Sequence, residues 1–188
     1  MRLTLCGLRR SEVLGLEWPC VNLDAGTIGV AKGRVKTGRG KETSHGDAKS
    51  DESHRVVPVE FIHPGTAVAL RALWESQGRP SDGPVIRDTA VQPVDPDTYS
   101  QRFRAITKLA GVPDLGSIHN VCHSIATALH DDGVEPRKAA SLLGHTVPTH
   151  LAFYVPTDDV GAAEAAKSAG TLFATKRTFN QPGCDQAL

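Results

Sequence analysis

A chain of 188 residues, 39% apolar and 22% charged, is long enough for one full domain with its own hydrophobic core. Its apolar runs are too short to span a bilayer, and residues 1–20 lack the charged-then-apolar order of a secretory signal. The formal net charge is zero, so bulk charge neither favours nor excludes nucleic acid as a partner.

In chain order, Met1 to Leu8 has room for one or two helical turns, followed by the polar cluster Arg9-Arg10-Ser11-Glu12. Ser11 is the expected cap of a short helix through Leu16, which Trp18-Pro19 stops. So abrupt an opening reads as an N-terminally truncated domain. A turn at Asp24 to Gly26 leads into a strand ending at Val30. Residues 33–53 show no hydrophobic period and are expected to form a long hairpin tip, closed by the edge strand Arg55-Val-Val-Pro-Val59. The run Lys32, Arg34, Lys36, Arg39 and Lys41 contains no acid, and such a run can meet a phosphate backbone or form a solvated loop face.

Apolar residues then recur at helical spacing from Pro64 to Gln77, at Ala67, Leu70, Leu73 and Trp74. A helix opening at Asp95 or Asp97 should bury Tyr99, Phe103, Ile106 and Ala110, and another from Asn120 to Asp132 should bury Val121, Ile125, Ala128 and Leu129. Pro136 suits the first position of a short helix ending at Gly144. Pro148 opens a further turn or two holding Tyr154, and Asp158-Asp159 starts an Ala-rich helix through about Leu172. Residues 1–174 are thus expected to form one mainly α domain with a small antiparallel β-sheet (α+β), with 175–188 a disordered tail. Cys6, Cys20, Cys122 and Cys184 show no paired spacing, which predicts reduced thiols in a cytoplasmic protein.

The chemistry concentrates between His119 and Tyr154. The set His119, His123, His145 and Tyr154 itself holds no carboxylate pair, no serine nucleophile and no Gly-rich phosphate loop. A phenol beside imidazoles suits attack on phosphorus, with donors ready for the developing charge.

Four blocks, in order, resemble the tyrosine site-specific recombinases, or phage integrases: Gly7-Leu8-Arg9-Arg10-Ser11-Glu12, Lys49 to Pro58, His119-Asn-Val-Cys122-His123, and Leu143-Gly144-His145 followed by Tyr154. The resemblance covers roughly residues 3–173 and implies that family's catalytic-domain fold, with double-stranded DNA as partner, self-association on DNA, a nucleoid location and no cofactor or metal. It implies Tyr154 as nucleophile, Arg9, His119 and His145 around the phosphate, and a hairpin lysine as acid for the leaving 5′-oxygen: Lys49, with Lys36 and Lys41 of the same loop as alternatives. Glu12 and His123 would support them. Lys32, Arg34, Lys36, Arg39, Lys41, Arg102 and Arg104 would supply DNA contacts through counterion release.

The chain departs from the family pattern in two places. Cys122 stands where the family has its second arginine, and a thiol cannot form a bidentate fork to phosphate. The eight residues ahead of Arg9 are also too few for the family's separate DNA-clamping domain, so half of the clamp around DNA is expected to be absent. A degenerate or disabled recombinase is therefore expected, with a non-catalytic DNA-binding or interaction protein on the same fold as the alternative. A third reading, a zinc-dependent hydrolase, rests on His119 and His123 four apart with Cys122 between them, and lacks the glutamate and second ligand pair such sites need.

Overall fold

The computed structural model describes residues 1–36, 43–47, 54–112, 115, 117–154 and 167. The chain alternates short helices with a small antiparallel sheet and then becomes wholly helical, as its periodicities require. Residues 1–154 form one compact unit. The expected helix from Asp158 to Leu172 lies, Lys167 apart, outside the described residues, as does the tail from Thr175.

Helix α1 (Arg2–Leu5) is a single turn that ends at Gly7, where φ of 82° reverses the chain. Helix α2 (Arg10–Gly15) follows, and its cap corrects the sequence expectation. Arg9, not Ser11, is the N-cap residue, and Glu12 reaches back to accept from the Arg9 backbone N–H at 2.8 Å. A carboxylate at the third helical position meets an orphan donor there, which an earlier start leaves within reach. A 3₁₀ turn (Trp18–Cys20) leads into β1 (Val21–Asn22) and β2 (Thr27–Val30). Strands β3 (Lys32–Lys36) and β4 (Thr43–Asp47) pair as an antiparallel hairpin in register Lys32 to Asp47. Strand β5 (Arg55–Val57) returns to β2, giving a second sheet of order β1-β2-β5 with β5 at its edge, as Pro58 foretells.

Helices α3 (Val59–Ile62) and α4 (Thr66–Ser76) cover this sheet's end, and α3 is a turn the sequence reading missed. Helix α5 (Pro96–Leu109) starts at Asp95, whose carboxylate accepts from Asp97 and Thr98 N–H. Besides Pro96 at its start it buries Tyr99, Phe103 and Thr107, a stripe spaced by four, and Tyr99 shares a 2.8 Å hydrogen bond with Thr4. Ile106 and Ala110 are exposed instead, because they sit one step round the helix from that stripe. Helix α6 (Ile118–Asp131) buries Ile118, Val121, Cys122 and Ala126, so Ala128 faces out where burial was expected. Helices α7 (Pro136–Leu143) and α8 (Val147–Tyr154) complete the unit, with Gly144 at φ 67° forming the corner after α7.

One core gathers Leu8, Val13 and Leu14 from the N-terminal turns, Ile28 and Val57 from the sheet, and Tyr99, Phe103, Ile118 and Val121 from α5 and α6. Burying a leucine- or isoleucine-sized side chain stabilises by about 1.5–3 kcal/mol, so this cluster fixes α2 against the sheet and α6. That placement puts Arg9 beside Cys122. No described helix is long and apolar enough to cross a membrane.

Candidate phosphate site

Gly7 begins the site. A β-carbon there would lie 2.9 Å from Leu143 Cδ2, so the Gly7-Leu8 turn sits tightly on α7. Its carbonyl also accepts from Cys122 Sγ at 3.6 Å, which ties the same turn to α6. Arg9 therefore leaves the turn between two helices that are distant in sequence.

Its guanidinium is held on two sides. Nη1 donates to Glu12 Oε1 at 3.2 Å and Nη2 to the Gly144 carbonyl at 2.6 Å. The side chain is still 38% exposed, so its other N–H groups can reach an anion. Glu12 is buried, and its charge is matched by Arg55, which donates Nη1 to Oε1 at 2.9 Å and Nη2 to Oε2 at 3.0 Å. Arg55 Nε donates to the Leu142 carbonyl at 2.8 Å. A β-carbon on Gly144 would lie 2.7 Å from Arg55 Cζ, so this corner has no room for a side chain.

Arg55 was not among the expected site residues. A signal for it exists in the sequence. Arg55 and Val57 alternate on one face of a strand, and Val57 is fully buried, so the arginine must point inward and needs a buried acid. Glu12 is that acid.

In front of Arg9 opens a cleft of about 390 Å³ whose charged lining is Arg9, Arg10, Arg34 and Arg104, with His119, Ser117 and Ser100 beside them. Phe103, Ile118 and Cys122 also line it, and no carboxylate does among the described residues. Four guanidiniums around one concavity favour a multiply charged anion. Cys122 is 5% exposed, and burial, with Glu12 nearby, pushes its thiol pKa up. It is a neutral group on the cleft wall next to Arg9.

His119 is exposed on the first turn of α6, after Ser117 Oγ has accepted from its backbone N–H. Its ring meets that of His123 edge-on, with the Nε2 atoms 3.1 Å apart. Cys122 Sγ donates to the Gly7 carbonyl at 3.6 Å rather than to either ring. Among the described residues no group of three or more His, Cys, Asp or Glu converges as a metal site.

His145 follows the Gly144 corner, and its backbone N–H donates to the Ala140 carbonyl at 2.9 Å. Burial first, then the charges of Arg9, His150 and Arg55, push its pKa down to about 4. It is thus a neutral imidazole at physiological pH, able to pass a proton or donate a hydrogen bond. The buried His150 ring lies 6.1 Å away, centroid to centroid. A stability effect follows. The unfolded histidine takes up a proton near pH 6.5, whereas the folded one resists until about 4, so this contribution is present above 6.5 and lost as pH falls towards 4. The expected loss is at most about 1.4 kcal/mol per unit of displacement, reduced by partial solvent access. Urea unfolding of the unaltered chain and His145→Gln at pH 7 and pH 4.5 should show the variant losing less; equal losses would contradict it.

Of the other expected residues, Arg34 and Arg104 reach the cleft. Lys32 and Lys36 belong to β3, and Arg102 is exposed on α5 outside the lining. Lys49, Arg39 and Lys41 lie outside the described residues. Tyr154 is the last residue of α8, and its side chain also lies outside them.

The model of the phage integrase family matches residues 1–159. The tyrosine recombinase XerC of Xylella fastidiosa strain 9a5c is 29% identical over 81% of this chain, and that of Rhodospirillum centenum 30% identical over 81%. The chain spans 45% and 40% of those relatives, less than half their length. The Tn1549 transposon integrase, solved in complex with transposon right end DNA, superposes with a TM-score of 0.71 at 20% identity, covering 89% of this chain and 57% of that one. The XerA recombinase gives 0.59 at 20% identity over 87% and 52%.

Proposed function

The chain belongs to the phage integrase family, with the fold of a tyrosine recombinase catalytic domain, and on that premise we propose that its cleft receives a DNA phosphate but supports little strand cleavage. The observation that carries this reading is the wall of the cleft, where Arg9 and the neutral Cys122 stand side by side.

In the proposed reaction the Tyr154 oxygen attacks the scissile phosphorus and the bond to the 5′-oxygen breaks. That leaves a 3′-phosphotyrosyl link and a 5′-hydroxyl whose proton comes from Lys49. The tyrosine's own proton passes to His145, whose lowered pKa keeps the imidazole neutral at physiological pH and also makes it a weak base. Negative charge grows on two non-bridging oxygens. Arg9 answers one of them, and His119, at the edge of the cleft, donates to the phosphate. The second fork is missing at Cys122. The similarity to tyrosine recombinases and to the Tn1549 integrase, solved in complex with transposon right end DNA, supports the choice of DNA as partner.

Titration of a labelled duplex at rising salt tests the binding half. Affinity should fall steeply with salt, and Arg34→Ala or Arg104→Ala should each reduce the slope by about 1. Binding that ignores salt and both substitutions would place DNA elsewhere.

A further inference from the structure

We infer that Arg55 is the positioning residue of this site: it fixes the Arg9 guanidinium through Glu12 and fixes the corner bearing His145 through the Leu142 carbonyl. The inference deepens the proposed function, which gives Arg9 its task, though the geometry itself involves no DNA.

Arg9 alone would hold Glu12 poorly, since the contact at 3.2 Å is its long one and the arginine is partly exposed. The carboxylate is aligned instead from behind. Both its oxygens take the two Nη atoms of Arg55 at 2.9 and 3.0 Å, an arrangement that sets the carboxylate plane as well as its place. Glu12 then offers Oε1 to Arg9 in one orientation. The third edge of Arg55 grips Leu142 while Arg9 grips Gly144, so the two arginines hold the same corner of the chain from either side. Gly144 supplies an independent sign of this contact. Its positive φ already favours glycine, and the crowding against Arg55 Cζ excludes any β-carbon as well.

Among the described residues that line the cleft Arg55 is absent, so it acts on a ligand through Arg9 and the His145 corner rather than by contact. A lysine keeps the charge but not the planar fork, and one ammonium cannot align two carboxylate oxygens and a carbonyl together. The consequence is a guanidinium at position 9 that is already oriented when an anion arrives, with α2, β5 and α7 cross-linked around it.

The test is a measurement of arginine side-chain signals by nitrogen NMR on the labelled chain without DNA. In the unaltered protein the Arg9 guanidinium should rotate slowly about its Cζ–Nε bond. In Arg55→Lys that rotation should quicken by about tenfold or more, as expected for loss of a charge-assisted pair, while core amides such as Leu14 and Ile28 keep their positions. Arg55→Gln, which retains a donor for Leu142, serves if the lysine variant does not fold. Free rotation of Arg9 in the unaltered chain would overturn the inference, and so would an unchanged Arg9 in a folded Arg55 variant. A role in stability alone predicts that second result. Failure to bind duplex would sink the proposed function and leave this measurement standing.

Discussion

Glu12→Ala should lower the stability of the domain by about 3–5 kcal/mol, among the largest losses available to a single substitution here. The carboxylate is 6% exposed and accepts four hydrogen bonds, from the Arg9 backbone and Nη1 and from both Nη atoms of Arg55. Alanine removes the counter-ion but leaves the Arg55 guanidinium in place, itself only 6% exposed. A buried cation without its anion keeps the whole desolvation cost and loses the attraction that offset it. The short helix α2 also loses the side chain that reaches back to its first N–H. The surface pair Glu75–Arg79, 3.6 Å apart and exposed on both sides, gives the comparison, and Glu75→Ala should change stability by less than about 0.5 kcal/mol. Urea denaturation midpoints of the two variants measure the difference. A Glu12→Ala loss below about 1 kcal/mol would mean that the network relaxes freely and holds nothing in place.

The sequence spoke most clearly where one residue type answers one need. Asp95 before Pro96, Gly144 after α7 and the Asp24 to Gly26 turn each stand where expected, because caps and positive φ angles tolerate few alternatives. Helical faces were less legible. Ile106 and Ala128 look as apolar as Phe103 and Ala126, and only the packing of α5 and α6 decides which of them the core accepts. The candidate site divides in the same way. Arg9, Glu12, His119, Cys122 and His145 lie in blocks of recognisable order, and the fold gathers Arg9, His119 and Cys122 around one cleft. Arg55 escaped notice because its value depends on Glu12, 43 residues away in sequence, and no local pattern records a pairing at that distance. The depressed pKa of His145 was likewise out of reach, since burial, Arg9, His150 and Arg55 together produce it.

Cys122→Arg should raise the rate of phosphotyrosyl formation by up to about a thousandfold, the scale on which a guanidinium acts in related phosphoryl transfers. The site is prepared for it. Cys122 lies on the cleft wall with Arg9, and Glu12 is close enough to both to raise the thiol's pKa. A longer side chain leaving the Cys122 backbone has the cleft to extend into, and with Arg9 it would offer planar forks to both non-bridging oxygens. Part of the gain is offset by lost packing, because the thiol is now buried against Gly7 and a third cation would stand near Arg9 and Arg55. The direct test of the central claim is a nicked suicide duplex carrying a cognate crossover site, incubated with each protein and resolved under denaturing conditions. The unaltered chain should give almost no protein–DNA band, Cys122→Arg should give one, and Cys122→Arg with Tyr154→Phe should lose it again. A ready band from the unaltered chain would contradict the account, because Cys122 would then not occupy the place of a needed arginine.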